Sequence, residues 1–275
     1  MLAATIEKEK MTDQTSAGGL VTYLSQKAVH HKYYKYYAPK HYIDTILREE
    51  AVFLSDGENW NDVRDKERLN DDNRYKRFAL CLSYSCSENV AMWMLYAGND
   101  GCMIDYPQKV ITAILNSDCV YAGAFSRETG TFETQISIGL DGFRIDAYDV
   151  VYFAEAKKEP NTFYYVKRSD ESSSEFRRDI IEKLSYQKKT LPWSYENECR
   201  IVVSVDKQKY KEIAQIHSLK ITMPKGIQKE LINRTYQSPN SNVLEYQPSK
   251  MAGLINWNLC EHCKKTDSSR LKNEG

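Results

Sequence analysis

The chain has no excess charge of either sign. Lys and Arg total 38, and Asp and Glu total 38, so no global basic field draws it to nucleic acid. No apolar run approaches the roughly 18 residues that a membrane-spanning helix needs. Met1 to Gly19 lacks the apolar centre of a signal peptide. There is no Gly-x-Gly-x-x-Gly and no Walker sequence, which excludes the two familiar glycine-rich phosphate cradles. No histidine sits in a nucleophile elbow or at a metal-binding spacing, and there is no internal repeat. The seven cysteines are odd in number and irregularly spaced. Most of them lie in apolar runs, where a free thiol behaves as a small hydrophobe. Cys260 and Cys263 form a single C-x-x-C, whereas a structural zinc site usually takes two such pairs. These absences predict a soluble protein of the reducing cytoplasm, with no membrane partner and no metal.

What is present points to one globular domain. Hydrophobic residues make up 41% and charged residues 28% of 275, enough to bury a core. The expected division is a flexible segment over 1–19, a single domain over 20–260 and a polar tail over 261–275. Strands are expected at Tyr33–Tyr37, Ala51–Ser55, Phe78–Ser85, Gly101–Tyr106, Val150–Ala154, Thr162–Val166, Cys199–Val205, Leu219–Met223 and Val243–Tyr246. Helices are expected at His41–Glu50, at Val90–Ala97 behind a Ser87 cap, at Glu175–Lys189, and from Pro224 to Tyr236. Strands mixed with a few helices, without regular alternation, predict an α+β fold on a split, mostly antiparallel sheet.

Tyrosine is abundant, at 20 residues. Between Lys27 and Lys40, lysines and histidines alternate with Tyr33, Tyr34, Tyr36 and Tyr37, a mixture suited to a nucleic acid or a phosphate ligand. The densest chemistry lies in Trp193-Ser-Tyr195-Glu196-Asn-Glu198-Cys-Arg200. Strand alternation sends Cys199, Ile201, Val203 and Val205 to the core and Glu196, Glu198 and Arg200 together to the other side. Two carboxylates and a guanidinium beside two aromatic rings make a plausible cleft wall. The plainer alternative is a surface Glu–Arg ladder of little energetic weight.

Three patches, in order, resemble the ADP-ribosyltransferase toxin superfamily. Strand-borne Glu196-x-Glu198 looks like its last motif. Ser83-Tyr84-Ser85 looks like its Ser-Thr-Ser motif, and Tyr34-Lys35-Tyr36 stands where it carries Arg or His on its opening strand. The resemblance implies NAD as substrate with no metal, Glu198 on the ribose 2′-hydroxyl and Glu196 toward the acceptor. It places Ser83 and Ser85 around the nicotinamide, and Tyr34, Lys35 and Tyr36 on the adenosine side. Trp93, Tyr96 and Arg200 join the cofactor-binding set. A second resemblance is to a widespread bacterial family of uncharacterised function often found among phage-defence genes. It rests on Asn61–Asp62, on Ser83 to Tyr96 with Gly101, and on Lys189 to Arg200, which carry its n-x-MW-x-x-Y helix and its W-x-Y-E-x-E-x-R strand.

Together these imply a transferase that modifies a macromolecule, nucleic acid before protein, acting as a toxin or defence effector with an antitoxin partner. Two other classes remain open at this point. One is a metal-dependent nuclease using Asp62, Glu196 and Glu198 with Lys189. The other is a non-enzymatic nucleotide-sensing or binding module.

Overall fold

A computed structural model of the chain describes residues 28–70, 72–126, 129–153, 188–242 and 245–254. The expectations for 1–19, Thr162–Val166 and 261–275 lie outside them, as does all but the last two residues of Glu175–Lys189. The described chain is α+β. Its core is an eleven-stranded, mostly antiparallel sheet.

The order begins with β1 (Lys35–Ala38), α1 (Lys40–Glu49), β2 (Ala51–Ser55), α2 (Val63–Asn70) and β3 (Tyr75–Ser83). Then come α3 (Val90–Met92), which runs on as a π-helical turn over Trp93–Ala97, β4 (Cys102–Asp105) and α4 (Gln108–Leu115). The strands β5 (Cys119–Ser126), β6 (Thr131–Gly139), β7 (Phe143–Asp149) and β8 (Val151–Phe153) follow. Next are β9 (Lys188–Thr190), a 3-10 turn over Leu191–Glu196, and β10 (Glu198–Asp206). The chain closes with β11 (Ser218–Thr222), α5 (Gln228–Asn233), β12 (Thr235–Gln237) and β13 (Gln247–Pro248).

Two strands organise the site. β10 lies antiparallel between β3 and β7, with Glu198 opposite Ser83 and Arg200 opposite Cys81. On β10, Cys199, Ile201, Val203 and Val205 join the main core with Phe78, Leu80 and Leu82 of β3. Ile43, Ile46 and Leu47 of α1 and Val110, Ile111 and Ile114 of α4 cover that face. Each such side chain, fully buried, contributes about 1.5–3 kcal/mol. The opposite face is not solvent-exposed either. Val202 and Ala79 pack with Leu69 of α2 and Tyr148 of β7 in a second cluster, so Glu198 and Arg200 share a face that is closed over.

The other edge of β3 is shared between two strands. β1 meets it only at Lys35 opposite Ser83, and β2 only at Ser55 opposite Ala79. Among the described residues, no strand fills the gap between them. The sheet is split at that point.

Several element ends differ from expectation for identifiable reasons. The Phe78 strand stops at Ser83, because Tyr84 N–H bonds to the Asn197 carbonyl as β10 turns away. The helix cap is Asn89 rather than Ser87; its side chain accepts from Ala91 N–H. That helix continues as a π turn closed by Gly98 N–H on the Trp93 carbonyl at 2.8 Å. The helix after Pro224 is short, since Tyr236 pairs with Met103 in β12. Lys189 lies in a strand parallel to β8 rather than at a helix end.

Candidate active site

The site grows from a single left-handed residue. Asn197 has φ 45° and ψ 58°, a conformation that Asn tolerates better than most side chains. It ends the 3-10 turn carrying Glu196 and starts β10 at Glu198. Glu196 is therefore not on the strand, contrary to the alternation argument. The sharp reversal still brings its carboxylate to the same place, and both glutamates are 3% exposed.

Lys189 joins them. Its ammonium lies 2.6 Å from Glu196 Oε2, 3.0 Å from Glu198 Oε2 and 3.4 Å from Asp65 Oδ2. Arg200 backs this group. Its Nε donates to Glu198 Oε1 at 2.6 Å, and its Nη1 donates to Asp65 Oδ1 at 2.7 Å. The guanidinium also sits over the Trp60 ring, 5.0 Å from its centre. Tyr96 OH donates to the second oxygen of Glu196. Tyr152 OH accepts from Glu198 N–H at 2.9 Å.

The surroundings push the pKa values of the two carboxyls in opposite directions. Burial pushes the Glu196 carboxyl up, and the Glu198 charge pushes it further. Lys189 and Tyr96 pull back only in part, leaving it at about 7. Burial also pushes Glu198 up, but Arg200 and Lys189 outweigh it and hold Glu198 well below the ordinary carboxylate range. One group can therefore exchange a proton near neutrality while the other stays anionic. Burial drives the Tyr96 phenol up, and the adjacent Glu196 adds to this, so it remains a donor.

These groups lie at one end of a cavity of about 750 Å³, within the usual range for small-ligand sites. Its walls include Tyr36 and Tyr37 of β1, Phe53 and Leu54 of β2, and Leu80 and Cys81 of β3, the strands that flank the split. Tyr36, Tyr42, Phe53, Trp60 and Trp193 are among the rings that line it. Ser83 also lines it; its Oγ is buried and has no hydrogen-bond partner.

The expected residues divide clearly. Glu196, Glu198, Ser83, Tyr36 and Tyr96 line the cavity, with Arg200 directly behind Glu198. Lys35, Tyr34, Ser85 and Trp93 do not line it. The Lys35 ammonium holds the carbonyls of Ser85 and of Ser87, the latter at 3.1 Å, and so anchors the loop after β3. Burial lowers its pKa. Tyr34 is in the main core, and its hydroxyl donates to the Ala28 carbonyl. Trp93 packs edge-on against Tyr37, and its indole N–H donates to Glu88.

Asp62 lines the cavity, but its carboxylate caps α2, accepting from the Arg64 and Asp65 amides. Asp65, not singled out in the sequence, is the carboxylate that reaches the ion cluster. The sequence signal is only the spacing of four between Asp65 and Leu69, which puts them on one helix face; the structure buries both.

Residues 92–201 match a family described as a protein of unknown function (DUF2971). The match spans Tyr96, Lys189, Glu196, Glu198 and Arg200 and stops short of Asp65 and Ser83. No curated protein and no solved structure matches the chain.

Proposed function

We propose that the chain is an NAD-dependent ADP-ribosyltransferase, with Glu198 and Glu196 as its catalytic pair and a macromolecule, nucleic acid before protein, as acceptor. The observation carrying this reading is the pair itself: two carboxylates on one ammonium, one kept anionic and one poised near neutrality, at the end of an aromatic cavity. Lys35, Ser83 and Glu198 also lie side by side across β1, β3 and β10, so the three motifs that resemble the superfamily meet in one row.

In the reaction, the bond between ribose C1′ and the nicotinamide nitrogen breaks. Its electron pair leaves with the ring, and C1′ becomes oxocarbenium-like. The fixed negative charge of Glu198 stabilises that centre and accepts from the 2′-hydroxyl. Glu196 takes the proton of the acceptor group as that group bonds to C1′. Trp60, behind Arg200, keeps the ion cluster in a low-dielectric setting where such charges act strongly. The nuclease reading has less support. The place between Asp65, Glu196 and Glu198 where a metal would sit is occupied by the ammonium of Lys189, and Asp62 is used as a helix cap.

The test is incubation of the purified chain with labelled NAD and a cell extract, followed by separate RNase, DNase and protease digestion. Label should enter a macromolecule, and Glu198→Gln should abolish it with the circular dichroism spectrum unchanged. Labelling retained by that variant would refute the assignment.

A further inference from the structure

The same cavity holds a second cluster that the proposed chemistry does not use, next to Ser55, which pairs with Ala79 while Glu198 pairs with Ser83 farther along β3. Asp56, Glu58 and His217 all line it. His217 Nδ1 lies 2.8 Å from Asp56 Oδ2 and 2.9 Å from Glu58 Oε2, and one ligand atom from each residue falls within 4.8 Å of the others. No sequence spacing reveals the group. β2 and β11 create it by pairing Ser55 with Ser218, and the Asp56 amide then bonds to the His217 carbonyl. The arrangement is held by the sheet, with Gly57 turning at φ 78° so that Glu58 folds back beside Asp56.

We propose that Asp56, Glu58 and His217 form a divalent-cation site. Two ligands at about 2.1 Å from a metal lie about 3.0 Å apart across an octahedral edge and about 3.4 Å apart in a tetrahedron. The two separations from His217, 2.8 and 2.9 Å, match the octahedral edge and are equally the length of the direct His217–Asp56 hydrogen bond that an ion would replace. One imidazole and two carboxylates suit Mn2+ or a similar ion, with water or a ligand oxygen completing the shell. Lys76 lies 3.1 Å from Asp56 Oδ2 and Lys66 lies 3.7 Å from Glu58 Oε1, so an ion must compete with the Lys76 ammonium for Asp56 and should be held exchangeably. Lys76 keeps a second acceptor in the Ala214 carbonyl at 2.9 Å.

A separate observation asks for such an ion. Among the described residues lining the cavity, six are acidic and only Lys189 and His217 are basic. A diphosphate ligand would find almost no protein cation there, and a bound dication would bridge Asp56 and Glu58 to its oxygens. That last role rests on the ADP-ribosyltransferase reading; the cation site does not.

The experiment titrates the chelator-treated full chain with Mn2+, without NAD, and follows free Mn2+ by its electron paramagnetic resonance signal. One equivalent should bind saturably. His217→Ala and, separately, Glu58→Gln should weaken binding at least tenfold, while Glu196→Gln, in the Lys189 cluster, leaves it unchanged. Both His217 and Glu58 are exposed, and if one variant fails to fold, the other decides. Non-saturable uptake, wild-type binding by the folded variants, or loss of binding in Glu196→Gln would overturn the proposal. Binding without NAD turnover would count against the transferase reading alone; turnover without binding would count against this site alone.

Discussion

Replacing Lys189 with Met keeps the length of the side chain and removes the charge. Glu198 and Asp65 then keep Arg200 as counter-ion, while Glu196, among the described residues, keeps only the Tyr96 hydroxyl. Removing one partner from a buried ion group costs about 3–5 kcal/mol when the remaining charge has no escape. Here an escape exists, because Glu196 already titrates at about 7 and can take up a proton. Without the ammonium its pKa rises further. An unfolded Glu titrates at about 4.3. Between those two values the folded state holds one more proton than the unfolded state, so stability falls as pH rises, by about 1.4 kcal/mol per unit. In the wild type that contribution is present below the unfolded value and is spent by about pH 7. In the variant the slope continues above 7. The stability deficit of Lys189→Met should therefore be smallest at pH 6 and should widen by about 1.4 kcal/mol per unit from pH 7 until it reaches the full cost of the broken group. Urea unfolding at pH 6, 7, 8 and 9 measures this directly. Parallel pH dependences for the two proteins would refute the claim that Glu196 is the proton-accepting member of the cluster.

Two further outcomes are expected. Tyr96→Phe removes the hydroxyl that donates to Glu196, a bond worth about 0.5–1.5 kcal/mol. The rising limb of the pH–rate profile should move up by roughly half to one unit, and an unmoved limb would show that Glu196 is not the base. Asn197→Gly keeps the left-handed turn and should change stability by a few tenths of a kcal/mol, whereas Asn197→Val should cost about 1–3 kcal/mol and most of the activity. Thermal melts paired with the labelling assay check both, and equal melts would mean that the turn is not what holds the two glutamates.

The parts legible in the sequence were those governed by local alternation. Phe78, Leu80 and Leu82 against Ala79, Cys81 and Ser83, and Cys199, Ile201 and Val203 against Glu198 and Arg200, were assigned to their correct faces because a strand's period is two. Glu196 reached the site by a different route from the one expected. A left-handed residue breaks the alternation, and no propensity marks which Asn adopts it. Lys189 and Asp65 join the cluster from β9 and α2, elements whose sequence patterns are weak; Lys189 comes from just before the 3-10 turn, seven residues from Glu196, whereas Asp65 is 135 residues from Arg200. Lys35 looked like a ligand-binding cation because it lies among tyrosines, but strand pairing turned it onto the backbone of the loop after β3. The strands β5, β6 and β7 had no expected counterpart. β6 shows why: all of its residues except Ile138 are exposed or half-buried, so it carries little apolar signal.

The split edge of β3 has a further consequence, for what evolution can alter. Tyr84 N–H bonds to Asn197 of the β10 segment, so by alternation Leu82 and Leu80 turn their peptide groups toward β10 and Cys81 turns its own toward the gap. Cys81 lines the cavity, and no described strand pairs with it on that side. The gap is thus set by strand pairing rather than by the side chain at position 81, and substitutions that alter the aromatic walls leave it in place.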